Sequence, residues 1–368
     1  MEKINRVVYL GIVWITISCE PMVTTFNNVE GAVLYKAQNT IASPSPDSSG
    51  IRVMTWNIRF GIGRLPFFGD SCGDRSVFTE QEVLNALELI ATKIDEAKPD
   101  ILLLQEVDRE SKRTAYIDQV QWLLDRTEMN YAAYASMWQA QVIPSDGIGR
   151  IDVGNVVMSK WDFTFAERIK LPLRTDQNAI TQLFYLRRNI LKTSIKISGY
   201  DDIYAVNTHT TAFATDETKR KHIEKFEQTL DEINQAGKPF IAGGDLNSLS
   251  PWANKRDFCD EDKCIGDLCD GDYENNNVYQ GSYFLRLDNE ETLLRSLYKN
   301  YNSAIDSTEL ILNESQHFTH STSGETFWDR KLDYIFTNRP IESDTLNPHQ
   351  NALQLSDHAP VSCMIVIE

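Results

Sequence analysis

The chain is short of positive charge: its 368 residues include 36 Lys or Arg against 53 Asp or Glu, a formal net charge of -17. A field of that sign repels polyanions unless a local basic patch or bound cations reverse it, so nucleic acid is an open but not a favoured partner. Nor does the N-terminus offer a membrane span. Its apolar run, Val7 to Ser18, is too short to cross a bilayer, and it follows Lys3 and Arg6 as the apolar part of an export signal does. Internal repeats and coiled-coil heptads are absent, which excludes solenoid and coiled-coil architectures. Cysteine is sparse: beyond Cys19 there are five, Cys72, Cys259, Cys264, Cys269 and Cys363. An odd number in an oxidising compartment leaves at least one thiol unpaired, and the pairing of the others does not follow from sequence.

Apolar residues, by contrast, make up 42% of the chain, ample for the core of one large or two modest domains. Residues 1–18 read as a signal peptide. Ser18-Cys19 resembles the lipobox of bacterial lipoproteins, although Thr16-Ile17-Ser18 departs from its usual Leu and Ala/Gly preference. That resemblance implies a lipidated Cys19 as the mature N-terminus and membrane attachment, with plain secretion as the alternative. Residues 19–50 show little periodicity and close in SPSPDSSG, the composition of a tether or linker. The folded domain is expected over 51–368.

Within it, IRVMTWNI from Ile51 reads as a strand, and Thr79 with Glu82 makes a capping-box pattern ahead of Val83, Leu84, Leu87, Ile90, Ala91 and Ile94 at helical spacing. ILLLQE is a continuous apolar run suited to a strand buried on both faces. A second helix is expected around Tyr116 to Leu124, strands over Asp152 to Ser159, Asn189 to Ile197 and Ile203 to Asn207, and a helix over Asp216 to Asn234. FIAGGDLNSLS follows, then a helix near Glu290 to Lys299 and the closing strands KLDYIFTN and APVSCMIVI. Alternating strands and helices favour an α/β fold.

One segment stands apart. Residues 257–277, DFCDEDKCIGDLCDGDYENNN, have no hydrophobic period, three cysteines, and eight acidic residues against one lysine, as a surface insertion would. Its acidic spacing suits a structural Ca²⁺ but completes no EF-hand loop, and a disulfide between two of its cysteines is the simpler reading.

Polar residues recur where apolar runs end: Asn57, Glu106, His209, Asp245 with Asn247, Asp333, and Asp357-His358. Singly, each is an ordinary turn former, strand end or cap. Jointly they are coherent chemistry. Glu106 and Asp357 are hard oxygen ligands of the kind Mg²⁺ or Mn²⁺ prefers, and Asp245 is able to orient or deprotonate water. His209, His358 and Asn247 suit phosphate oxygens, and Asp333 beside His358 would hold that imidazole protonated.

In this order TWNI, QE, NTH, GDLNS, KLDYIF and SDH resemble the successive motifs of the endonuclease/exonuclease/phosphatase superfamily, over essentially Ile51 to Glu368. The resemblance implies a four-layer α/β/β/α sandwich of two mostly antiparallel sheets. It implies Glu106 as the principal metal ligand, Asn57 supporting the metal and Asp245, and Asp357 at the metal side. Asp245 would orient the attacking water with Asn247 beside the phosphate, while Asp333-His358 and His209 stabilise the phosphorane. Arg187 and Arg188 are assigned to a substrate phosphate or, equally, to a charged strand edge, and Asn155 to a place near the site. Three functions compete: an exported phosphodiesterase acting on a lipid headgroup or small diester in the manner of sphingomyelinases, a secreted nuclease, and a catalytically silent surface binding lipoprotein.

Overall fold

The computed structural model describes residues 23–45, 50–69, 72–144, 147–200, 202–264, 268–269, 278–279, 284, 290–322 and 327–367. The export signal and Cys19 lie outside the described residues, as does most of the acidic segment thought suited to Ca²⁺.

Strand-period sequences that are apolar on both faces must be covered on both faces, and this decides the architecture. One sheet runs in the order β1 (Val29–Gly31), β7 (Phe163–Lys170), β8 (Asn189–Ile195), β9 (Ile203–His209), β10 (Phe240–Asp245), β14 (Asp333–Thr337), β13 (Asn302–Ser303). The other runs β15 (Asn347–Pro348), β16 (Val361–Ile365), β3 (Ile51–Asn57), β4 (Ile101–Asp108), β6 (Gly149–Ser159), β5 (Tyr131–Ile143), β2 (Val33–Lys36). A separate ribbon pairs β11 (Leu268–Cys269) with β12 (Val278–Tyr279). That ribbon is parallel; within the two large sheets pairing is mostly antiparallel, with β3 and β4, and β9 and β10, parallel.

Alternate residues of the same strand serve different layers. Val53, Ile101 and Leu103 meet Leu191, Ala205 and Ile241 in the core between the sheets. Met54, Trp56, Leu102 and Leu104 turn outward against Val83, Leu87 and Ile90 of the helix Glu80–Ala97. Val206, Phe240 and Phe336 do the same against Ile223, Phe226 and Leu230 of the helix Thr218–Gln235. Each buried Val, Leu, Ile, Phe or Met among these contributes about 1.5–3 kcal/mol. The layers are therefore α/β/β/α, as the motif resemblance implied. Thr79 caps its helix with the full reciprocal box through Glu82, also as expected.

Some boundaries move. The stretch expected to be tether between 19 and 50 contributes β1 and β2, each at an edge, so the fold begins ahead of Ile51. These strands are three and four residues long and expose Val29, Val33 and Leu34, so their own pattern carries no burial signal; pairing with β7 and β5 creates them. The helix expected around Tyr116 to Leu124 is Gln119–Leu124, capped by Asp118. The one expected near Glu290 to Lys299 splits into a 3₁₀ turn, Glu290–Thr292, and a helix, Arg295–Asn300. Cys259 pairs with Cys269 inside the insertion, and Cys264 with Cys72 in the loop after β3; Cys363 is a buried free thiol.

Candidate active site

Three strands of the first sheet bring polar side chains to one level. His209, last in β9, is in register with Asp245, last in β10, and Asp245 with Asp333, first in β14. The glycines before Asp245 permit this. Gly244 sits at φ +134, and a Cβ there would lie 1.9 Å from the Thr208 carbonyl oxygen, so only glycine lets β9 and β10 approach so closely. From the second sheet come Asn57, closing β3, and Glu106, at a bulge in β4 where its own φ is 56°. Asp357 and His358 stand just ahead of β16.

Beneath these residues the two sheets are joined by hydrogen bonds. Gln105 Nε2 donates to Asn207 Oδ1 at 2.7 Å, and Asn207 Nδ2 donates to the carbonyls of Leu104 and Val156 at 2.7 and 2.8 Å. Both side chains are fully buried, and each lies next to a site residue or two positions from it, so the network fixes one sheet's functional groups against the other's.

Asp245 is the hub. Its Oδ2 accepts from Asn57 Nδ2 at 3.1 Å and stands 3.1 Å from His209 Nε2 and 3.5 Å from His358 Nε2, while Oδ1 accepts the Asn247 amide at 2.9 Å. Burial opposes its charge, but His209, His358 and these hydrogen bonds hold the carboxyl well below the usual range. Asn247 lies in the left-handed region, at φ 46°, with its Nδ2 donating to the Thr210 carbonyl at 3.2 Å. The loop carrying it is clamped from below by the buried Lys219–Glu290 pair: Lys219 Nζ donates to the Asn247 carbonyl at 2.5 Å, and Glu290 Oε1 accepts the Leu249 amide at 2.7 Å.

His358 Nδ1 lies 2.8 Å from Asp333 Oδ2. Burial would lower the imidazole's pKa, but Asp333 and Asp245 overcome it and raise it to about 10, so His358 is a cation at neutral pH. Asp333 itself is pushed up by burial against the pull of His358. His209 behaves oppositely: burial and the Arg188 charge lower it to about 4, leaving a neutral ring. With Nε2–H directed at Asp245, its Nδ1 is a buried acceptor without a hydrogen-bond partner among the described residues.

Glu106 is pushed up to about 7, first by burial and then by the nearby charges of Asp357 and Asp245. Asp357 stays low despite burial because His358, Arg59 and His320 face it. Asn57, which donates to Asp245, accepts the Arg59 amide at its own Oδ1 at 3.0 Å. The arginine pair separates. Both are buried, so neither guards an exposed edge; Arg188 Nη1 reaches the His209 carbonyl at 3.4 Å, but Arg187 Nη1 donates to the Tyr185 carbonyl at 2.9 Å. Asn155 is buried against Asn189, to whose oxygens its Nδ2 donates at 3.2 and 3.3 Å, one residue from Arg188.

The family model for the endonuclease/exonuclease/phosphatase family matches residues 54–358, which include all of these side chains. The chain belongs to that family. Among solved structures, an endonuclease/exonuclease/phosphatase from Beutenbergia cavernae DSM 12333 is similar over 86% of this chain and 71% of its own, with 18% identity and a TM-score of 0.53. A family protein from Leptotrichia buccalis C-1013-b is similar over 86% of this chain and 99% of its own, with 16% identity and a TM-score of 0.50. At such identities the likeness shows the fold alone. No curated protein matches the chain.

Members of this family are typically dependent on a divalent metal, and the residues present here fit one. Asp245 is buried, and the half-buried Glu106 and Asp357 keep only 19% and 22% of their side chains exposed; burial first, and then the charges of Asp357 and Asp245, push Glu106 toward neutrality, a cost that a cation would relieve. His209 Nδ1 stands 3.8 Å from Glu106 Oε1 with no hydrogen-bond partner among the described residues. Among the described residues two sets have ligand atoms within 4.8 Å of one another, Asp245-Asp333-His358 and His320-Asp357-His358, but each includes the cationic His358, whose two ring nitrogens both carry protons, so the carboxylates are the better ligands.

Two site neighbours escape a reading based on strand ends. His320 Nδ1 lies 3.1 Å from His358 Nε2, and burial with the His358 charge keeps it well below its ordinary pKa, so it accepts that proton. Arg59 Nε stands 3.5 Å from Asp357 Oδ2. His320 follows no apolar run, and Arg59 begins a 3₁₀ turn after β3; single hydrogen-bridged residues of this kind leave no periodic signal.

Proposed function

We propose that the chain is an exported, metal-dependent phosphodiesterase acting on a lipid headgroup or another small phosphodiester by in-line attack of water. The observation that carries this reading is Asp245, an ionised carboxylate fixed by Asn57, His209 and the Asn247 amide, facing the cationic His358. Asp245 orients a water; so low a pKa makes it an acceptor that aligns the nucleophile more than a strong base. His358, held by Asp333, donates through Nε2 to a phosphoryl oxygen as its charge grows, in exchange for His320. Asn247 Nδ2 supplies a further neutral donor. Glu106 and Asp357 would hold Mg²⁺ or Mn²⁺, which when bound neutralises phosphate charge. The net charge of -17 and two disulfides, at home in an oxidising compartment, support an exported enzyme that does not act on polyanions; anchorage through a lipidated Cys19 rests on the Ser18-Cys19 resemblance alone.

Incubating the full chain with Mg²⁺ or Mn²⁺ and, separately, sphingomyelin, bis(p-nitrophenyl) phosphate and plasmid DNA tests this. Hydrolysis of the lipid and the small diester with DNA left intact is expected. Rapid DNA cleavage with inert lipid would instead establish the nuclease reading, and inertness toward all three the binding reading.

Glu106→Gln is expected to raise the Mg²⁺ concentration for half-maximal rate by at least about tenfold, with a matching loss of Mg²⁺ affinity in calorimetric titration. An unchanged metal requirement would remove Glu106 from the metal site.

A further inference from the structure

The first described residues emerge beside an exposed apolar helix. Val23 N donates to the Leu183 carbonyl at 3.3 Å, and Thr24 N to the Gln139 carbonyl at 2.8 Å. Leu183 belongs to the helix Ala179–Phe184, none of whose residues is buried. Phe184 packs with Val23 and Met137, and its carbonyl accepts Trp138 Nε1 at 2.8 Å, so the helix is held by its C-terminal end. Ile180 and Leu183, three apart and therefore on one side, are 72% and 44% exposed. Hydrogen bonds tie this helix to the next apolar protrusion. Gln182 Nε2 donates to the Arg174 carbonyl at 2.8 Å, Arg174 Nη2 donates to the Phe213 carbonyl at 2.8 Å, and Phe213 is 61% exposed at φ 56°.

An apolar protrusion of this kind costs free energy in water and suits an interface with lipid. What names the occupant is the chain upstream. Cys19 precedes Val23 by four residues, at most about 14 Å of extended backbone, and the apolar run Val7 to Ser18 ends just before it. A bilayer holding either a lipidated Cys19 or the retained apolar run is thereby kept within reach of Leu183 and, one turn away, Ile180, with Phe213 joined to them through Arg174. The same segments continue to the site: Arg188, four residues after the helix, reaches the His209 carbonyl at 3.4 Å, and Phe213 lies four residues beyond His209 in the chain. The net charge of -17 favours a zwitterionic surface over an anionic one.

We infer that the helix Ala179–Phe184 and Phe213 form a membrane-docking rim which, with the N-terminal anchor, presses the mouth of the active site against a zwitterionic lipid surface. The inference rests on the anchored reading above and deepens it, by stating which face of the enzyme meets the lipid.

The test uses the full chain reconstituted into phosphatidylcholine vesicles and the same chain in detergent-free nanodisc-scaffold polymer, compared by amide hydrogen exchange. Slower exchange across 179–184 and 210–216 in vesicles is expected, with no change in the helix Thr218–Gln235. Equal exchange in both would overturn the rim, as would protection that rises with protein concentration at fixed lipid, which marks a second copy as the occupant. An Ile180→Asp/Leu183→Asp variant is expected to lose about tenfold on sphingomyelin presented in vesicles while keeping its rate on soluble bis(p-nitrophenyl) phosphate. Equal loss on both substrates would also count against docking. Exchange protection does not depend on turnover, so protection without lipid hydrolysis refutes the substrate assignment and leaves the rim standing.

Discussion

Asp245→Asn is expected to lower kcat on bis(p-nitrophenyl) phosphate by about 10³-fold while KM changes little. The substitution preserves shape but turns an acceptor into a partial donor. Asn57 Nδ2 and His209 Nε2, both 3.1 Å from Oδ2, would then face an amide whose one oxygen cannot serve them and also the Asn247 N–H at Oδ1. Water loses its aligning carboxylate in the same step. The loss should appear in kcat because alignment of the nucleophile matters for the transition state more than for binding the diester. Urea unfolding of the variant, run in parallel, separates this from collapse of the fold. A fall smaller than about tenfold in a folded variant would remove Asp245 from the reaction.

His358→Gln carries the second large expectation, a fall in kcat of about 10²–10³-fold, the range for loss of one preorganised donor to a developing oxyanion. Its signature lies in stability against pH. An imidazole held at about 10 in the folded chain and near 6.5 when unfolded adds stability that is complete below about 6.5 and lost as pH rises toward about 10. The parent chain should therefore lose part of its urea resistance across that window, and His358→Gln should lose less. Asp333→Asn, which removes the first charge supporting that proton, is expected to flatten the same slope. Parallel curves for all three chains would mean that His358 is not the buried cation described.

Much of the site was legible because it obeys one rule. A sheet can hold a polar group rigidly and still offer it to solvent only where a strand ends, so Asn57, His209, Asp245 and Asp333 announce themselves after or before apolar runs. Residues that reach the site by other routes do not. His320 arrives through an isolated bridge, Arg59 through a tight turn, and the Lys219–Glu290 clamp acts from behind the Asn247 loop. Whole strands were missed for a related reason. β5, YAAYASMWQAQVI, is rich in alanine and spans 13 residues, and β7, FTFAERIK, is half-buried; neither shows the β-branched run that marks β3 and β4. Arg187 and Arg188 looked equivalent in sequence, and only the backbone around them sends one guanidinium toward His209 and the other to Tyr185.

The sequence by itself determined the α/β class, the capped helix after Thr79, the strands ending in polar residues and, through six ordered motifs, the family and its layers. All of these are local or serial, written in periodicity and order along the chain. Tertiary structure alone decided which carboxylate accepts from which donor, that His358 is charged while His209 is neutral, that Cys72 reaches Cys264, and that Val23 pairs with Leu183. Charge state and pairing depend on burial and on groups distant in sequence, and these distances come into being only when the two sheets close on each other.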